Sequence, residues 1–283
     1  GDATRAFPQH VVSNTVTIPQ VITGMTVDSY GAPVQVQSGD VSRVQVTERL
    51  MYNSAGAPPA VTQSVSGGHL TLADPACAQS DCEVAFTITT PADVTATVSS
   101  SGGPVMVSGV KAAILDSGGG QVSAQQIGGP LTISSGGGPI QADGVAGTLN
   151  ADSGGGLATL SDITAANVSV STEGGPAMVS FAAAPKSVAI HSGGGMARLA
   201  VPGGPYALTA DSGGGPENVQ VATDPSAHRS ITITSDGGPM LIEPADGAGF
   251  KPADGAGFKP PLPVPVPVPV LPKPVPVWPK STG

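Results

Sequence analysis

A serine, a histidine and an aspartate recur at even spacing in this chain, as Ser171, His191 and Asp211. In mutual hydrogen-bond contact, such a set supplies a nucleophile, its general base and the carboxylate that orients the base. Asp116 and Asp152 are carboxylates in the same region. Carboxylates held close together serve acid–base work. Cys77 and Cys82 stand in a C-x4-C spacing. A metal site would need further ligands nearby, and no histidine lies within five residues of the pair. A disulfide closing a short loop is the preferred reading, and it implies an oxidising compartment. Whether the other residues meet depends on the elements that carry them.

Those elements are repeats. Eight Gly-rich corners run from Ser101-Gly102-Gly103 to Asp236-Gly237-Gly238. One anchor residue per corner gives Ser100, Ser117, Ser135, Ser153, Thr172, Ser192, Ser212 and Ser235, at spacings of 17, 18, 18, 19, 20, 20 and 23. A drifting period of about 20 residues marks a stacked-repeat protein. The residues two and four before the anchors are apolar in every repeat, from Ala96 and Val98 to Ile231 and Ile233. The residue just before each anchor is polar: Ser99, Asp116, Ser134, Asp152, Ser171, His191, Asp211 and Thr234. Alternation of period two is a strand with one buried face. Five and seven residues after each anchor the chain is apolar again, with Glu217 the exception.

Each repeat therefore reads as strand, Gly corner, strand. The expected fold is all-β: a single β-solenoid, β-helix-like, of ~18–20-residue coils with a Pro-rich extended C-terminal tail. A β-sandwich would not repeat the same residue class at the same position eight times. On such a stack Ser171, His191 and Asp211 fall on successive coils, about 4.8 Å apart. The row holds only Ser, Thr, Asp and His, so a solvated polar ladder is preferred to a triad, and no catalytic residue is assigned. Asp116 and Asp152 have Ser134 between them and form no cluster.

Composition narrows the function. The chain has 283 residues, 40 Gly, 29 Pro and a net charge of −9. Scarce Lys and Arg argue against nucleic acid as a partner. No run of about 18 apolar residues suggests a membrane span. No metal or cofactor is implied. Residues 1–29 read as an N-terminal leader, and 30–95 as less regular coils that cap the stack and carry the cysteine loop. In that part, Val34 to Val46 reads as an early coil cornered at Ser38-Gly39-Asp40, and Met51 to Pro59 as a loop. Residues 96–243 are the regular repeats. The remainder, 244–283, is a tandem P-A-D-G-A-G-F-K repeat and a Pro-Val run. That run favours the polyproline II form, ~3.1 Å per residue, and reads as a spacer or a docking arm. Trp278 to Gly283 lacks a Leu-Pro-x-Thr-Gly signal, so covalent wall anchoring is not expected.

Ser38-Gly39-Asp40-Val41, Ser192-Gly193-Gly194-Gly195, Phe181 to Val188 and Thr223-Asp224-Pro225-Ser226 resemble a known group. They look like the provisionally named adhesin family of bacterial β-solenoid proteins, especially its actinobacterial members, whose repeat runs S-G-S-G-D-V. The C-x4-C loop before Thr89-Thr90-Pro91 is similar too. The resemblance spans about residues 25–243. The Asp that closes the family's corner is replaced here by Pro104, Gln121, Pro139, Leu157, Pro176, Met196, Pro216 and Pro239. The resemblance implies an exported, cell-surface, non-enzymatic protein.

The function expected is therefore an adhesin-like binding or scaffold module, secreted or extracellular and associated with the cell surface. Its expected partner is a cell-envelope or host-surface ligand. The alternative is a self-assembling structural subunit of a fibre or envelope layer, joined through solenoid ends or the Pro-rich tail. A polysaccharide-active β-helix enzyme is the remote third.

Overall fold

The computed structural model describes residues 9–53, 56–79 and 81–245. Alternating β-branched and small apolar residues form short strands, and glycine corners turn between them. In chain order the N-terminal part holds β1 (Gln9–Thr17), β2 (Gly24–Ser29), β3 (Val34–Ser38), β4 (Gln45–Asn53), β5 (Thr62–Ser66) and β6 (His69–Ala73), then a 3-10 turn at Pro75–Ala78 and β7 (Cys82–Thr90). The regular repeats then come as strand pairs. They begin with β8 (Thr95–Ser100) and β9 (Val105–Ser108), then β10 (Ala112–Ser117) and β11 (Val122–Ile127). Next are β12 (Leu131–Ser135) and β13 (Ile140–Val145), then β14 (Leu149–Ser153) and β15 (Ala158–Ile163). After them come β16 (Asn167–Thr172) and β17 (Ala177–Phe181), then β18 (Ser187–Ser192) and β19 (Ala197–Val201). The last pairs are β20 (Ala207–Asp211) with β21 (Glu217–Val219), and β22 (Ser230–Ser235) with β23 (Met240–Pro244). No α-helix occurs among the described residues.

The strands make two sheets. One has twelve strands in the order β1-β4-β7-β3-β9-β11-β13-β15-β17-β19-β23-β21. The other has eleven, in the order β20-β22-β18-β16-β14-β12-β10-β8-β2-β6-β5. Each repeat gives one strand to each sheet, and neighbouring repeats pair in parallel at equal register. Ser117 pairs with Ser135, for example, and Ser135 with Ser153. Among the described residues only β1 and β4, β4 and β7, and β5 and β6 pair antiparallel. The inward side chains of both sheets merge in one apolar core.

At both ends the layers depart from chain order. The pair β2/β3 lies directly on β8/β9, and β6/β7 lies outside it. At the other end β22/β23 is inserted against β18/β19, and β20/β21 is outermost. Glu217, the one polar residue in an apolar column, belongs to this outermost layer and is exposed. Leu208, Ala210 and Val219, from the same layer, are also less than fully buried.

Two N-terminal expectations are corrected. Ser29 pairs with Ser100, so the corner of the early layer is Ser29 to Pro33, and Ser38-Gly39-Asp40 instead leads on toward β4. Met51 to Asn53 continues β4. Within the stretch read as a leader, residues 9–29 hold β1 and β2. Beyond Ala245 the tandem repeat, and all of the Pro-Val run, lie outside the described residues.

Candidate ligand-binding surface

The anchor column is structural. Ser29, Ser100, Ser117, Ser135, Ser153, Thr172, Ser192, Ser212 and Ser235 are all buried. A buried hydroxyl needs a partner, and the corner provides one. The Ser135 Oγ accepts the Gly138 N–H at 3.0 Å and donates to the Gly120 carbonyl of the neighbouring layer at 2.9 Å. The Ser192 Oγ instead donates to the Gly195 carbonyl of its own corner at 2.7 Å. The last glycine of each corner closes over this hydroxyl. A Cβ on Gly138 would stand 2.2 Å from the Gly120 carbonyl oxygen.

Asp74 takes the anchor position in the β6/β7 layer, the last parallel layer at the N-terminal end, one step beyond the Asp28–Ala73 pair. Its corner is filled by the loop that the Cys77–Cys82 disulfide closes. The Asp74 Oδ1 accepts the Tyr30 N–H at 2.9 Å, while Oδ2 is buried with no hydrogen-bond partner. Burial, with a smaller push from Asp28, raises the carboxyl to about 6, against the lowering effect of the backbone bonds. Sequence reading missed this residue because the cysteine loop replaces the Gly corner that marks the other repeats.

The polar row before the anchors lies on the outer face of the eleven-stranded sheet. In order along the sheet it reads Asp28, Ser99, Asp116, Ser134, Asp152, Ser171, His191, Thr234, Asp211. Carboxylates and hydroxyls alternate, and the hydroxyls donate down the row: Ser99 to Asp28, and Ser134 to Asp116. The sequence places Ser171 beside His191, and the register agrees. Asp211 is not beside His191, because the inserted β22 puts Thr234 between them. The His191 Nδ1 is bonded to the Thr234 Oγ1 at 2.9 Å. The row therefore lacks the contact a Ser-His-Asp relay needs. Asp116 and Asp152 stand two strands apart, on either side of Ser134. Among the described residues no group of three or more His, Cys, Asp or Glu side chains could hold a metal ion.

A second arrangement lies at the C-terminal end. Lys186 and Arg229 each precede the first residue of a paired strand, β18 and β22. They border an open hollow of about 730 Å³ with His228, Asp224 and Pro205. The Asp224 Oδ1 accepts the Ser226 N–H at 2.8 Å and its Oγ–H at 2.7 Å, and these bonds hold the carboxyl below its usual range. Burial pushes the nearby Tyr206 phenol up, and the Arg229 charge opposes it in part. The signal was in the sequence: Lys186 and Arg229 both stand six residues before an anchor.

No protein-family model and no curated protein matches the sequence. Solved structures do. A Parabacteroides distasonis protein, provisionally named as lipid binding, aligns over 82% of this chain and 96% of its own at 12% identity, with a TM-score of 0.52. A Bacteroides fragilis protein, provisionally named an adhesin, aligns over 83% and 97% at 15% identity, with a TM-score of 0.47. The first likeness places the chain in an all-β fold already seen in a bacterial protein.

Proposed function

We propose that this chain is an exported, non-enzymatic β-solenoid that binds a ligand of the cell envelope or of a host surface, as adhesins do. The observation that carries the reading is the outer polar row. Three neighbouring pairs of its side chains, Ser99 with Asp28, Ser134 with Asp116 and His191 with Thr234, bond along the sheet, and the row does not converge on a reacting point. A face of that kind suits many weak, repeated contacts with an extended ligand. The Cys77–Cys82 disulfide supports an oxidising, extracellular setting. The solenoid reading rests on the parallel, in-register repeats of both sheets.

The test is surface labelling of intact source cells with an antibody to the chain, together with retention of the purified full chain on cells and extracellular matrix. Labelling and saturable retention are expected. A chain confined inside the cells, or retained nowhere, would contradict the reading.

The second reading, self-assembly, is favoured by β1. This strand edges the twelve-stranded sheet. It carries no charged residue and no proline, and Val11, Val12 and Val16 are exposed. Edges lacking such guards invite pairing with another strand. A second copy laid antiparallel on β1 would extend the sheet. Light scattering on residues 1–283 and on residues 1–243 separates assembly through the tail from assembly through the folded body.

A further inference from the structure

We infer that the hollow beside Lys186 and Arg229 binds an acidic saccharide, a sugar bearing a carboxylate or a sulfate. This names a ligand class for the surface-binding reading and rests on it.

The argument starts from like charges. Ser187 pairs with Ser230, so Lys186 and Arg229 stand side by side on neighbouring strands, where the Lys186 carbonyl accepts the Ser230 N–H at 3.0 Å. Cations in adjacent strand positions repel one another. The only ion pair recorded among the described residues is Arg198 with Glu243, so no carboxylate in ion-pair contact offsets that repulsion. Both side chains are exposed and free to turn toward an oxyanion. On a chain of net charge −9, two of the few cations outnumber the one carboxylate, Asp224, that lines the same hollow. A ligand oxyanion would remove the repulsion and accept charge-assisted hydrogen bonds from both groups.

The rest of the hollow selects among oxyanions. About 730 Å³ is far more than a bare sulfate needs, and it lies in the range of small-molecule sites. Pro205 and the methyl groups of Ala184 and Ala227 offer an apolar floor for the C–H face of a sugar ring. Asp224, kept ionised by Ser226, is an acceptor for ligand hydroxyls. The same carboxylate, with the negative charge of the whole chain, opposes a densely charged polyanion. One isolated acidic group on a polyhydroxylated ring fits both halves of the site.

The test is titration calorimetry on the full chain with four probes: maltotetraose carrying a single glucuronate, maltotetraose carrying a single 6-O-sulfate, unmodified maltotetraose and sodium sulfate. At least one acidic saccharide is expected to bind about tenfold or more tighter than unmodified maltotetraose and sulfate, with affinity falling as salt rises. The Lys186→Ala/Arg229→Ala variant is expected to lose about tenfold or more in that affinity at an unchanged unfolding midpoint. Which acidic probe binds tells carboxylate from sulfate. Equal binding of acidic and neutral sugars, no binding of either, or unchanged binding by the variant would overturn the inference. Sulfate binding as tightly as the sugars would overturn it too, because the site would then read the bare oxyanion. Retention on cells keeps the two readings apart. If wild type and variant are retained equally and no acidic sugar binds, the hollow inference falls and the surface-binding reading stands. If acidic sugars bind but the chain is retained on no surface, the surface-binding reading falls alone.

Discussion

Gly137 and Gly138 sit side by side in one corner and answer to different constraints. A Cβ on Gly138 would collide with the Gly120 carbonyl, whereas a Cβ on Gly137 would meet nothing within 4 Å, and its φ is not in the left-handed region. Gly138→Ala is therefore expected to cost about 3 kcal/mol or more, because backbone must shift to admit a methyl group. Gly137→Ala should be neutral within about 0.5 kcal/mol. Urea titration of both variants checks the pair, and equal costs would contradict the layer spacing. Ser135→Ala should cost about 1–3 kcal/mol, the penalty for leaving the Gly138 N–H and the Gly120 carbonyl without their hydroxyl.

Asp74 gives a pH signature at the same scale. Its folded pKa lies above the ordinary carboxylate value, at about 6. The folded state therefore holds the proton more tightly than the unfolded chain. The stability this contributes is complete below about pH 4 and is lost as pH rises through about 6. A shift of this size is worth up to about 3 kcal/mol. Asp74→Asn keeps an acceptor for the Tyr30 N–H and removes the charge. Relative to wild type, the variant should gain stability at pH 7.5 and much less at pH 4. Chemical denaturation at the two pH values measures the difference, and a gain equal at both would rule out Asp74 as its source.

At the scale of elements, the cysteine loop and the inserted last layer carry the ends of the stack. The disulfide closes a short loop in the corner of the β6/β7 layer, the last parallel layer at the N-terminal end. Loop-closure entropy for so short a loop is worth about 2 kcal/mol. The Cys77→Ser/Cys82→Ser variant should lose about that much, with its far-UV spectrum retained. A wild-type unfolding midpoint in that variant would mean that the loop does not staple the cap. The regular repeats were legible because their columns are chemical. Anchors, apolar positions and the polar row each keep one residue class from Ser100 to Ser192. The early layer was harder to register, because the Ser29 corner holds a single glycine, Gly31, in place of the Gly run. The inversion of the last two layers was written only faintly, in the 23-residue spacing before Ser235 and in Glu217. Parallel in-register pairing reads residue class, and the Ser212 and Ser235 repeats offer nearly the same one. Burial decided between them. The Ser235 repeat has Ile231, Ile233, Met240 and Ile242 for the inner slot, while the Ser212 repeat brings Glu217 and suits the end.

For the whole molecule, that inversion governs what the surface can do. It separates Asp211 from His191 and dissolves the triad that even spacing suggests. It also brings Arg229 beside Lys186 and so creates the cationic hollow. The polar row was legible from the sequence, and its order at the C-terminal end was not. The hollow and the separation of Asp211 from His191 both follow from one claim: β22/β23 lies between β18/β19 and β20/β21. Cysteine cross-linking tests it most directly. Ala189 pairs with Thr232 on the outer face, and Thr232 pairs in turn with Thr209. Neighbouring parallel strands bring Cα atoms within the ~4.4–6.8 Å that a disulfide spans, and a second neighbour lies beyond it. The order described here predicts rapid oxidative cross-linking of Ala189→Cys/Thr232→Cys and none of Ala189→Cys/Thr209→Cys. The reverse result would restore chain order, put Asp211 beside His191 and contradict the account.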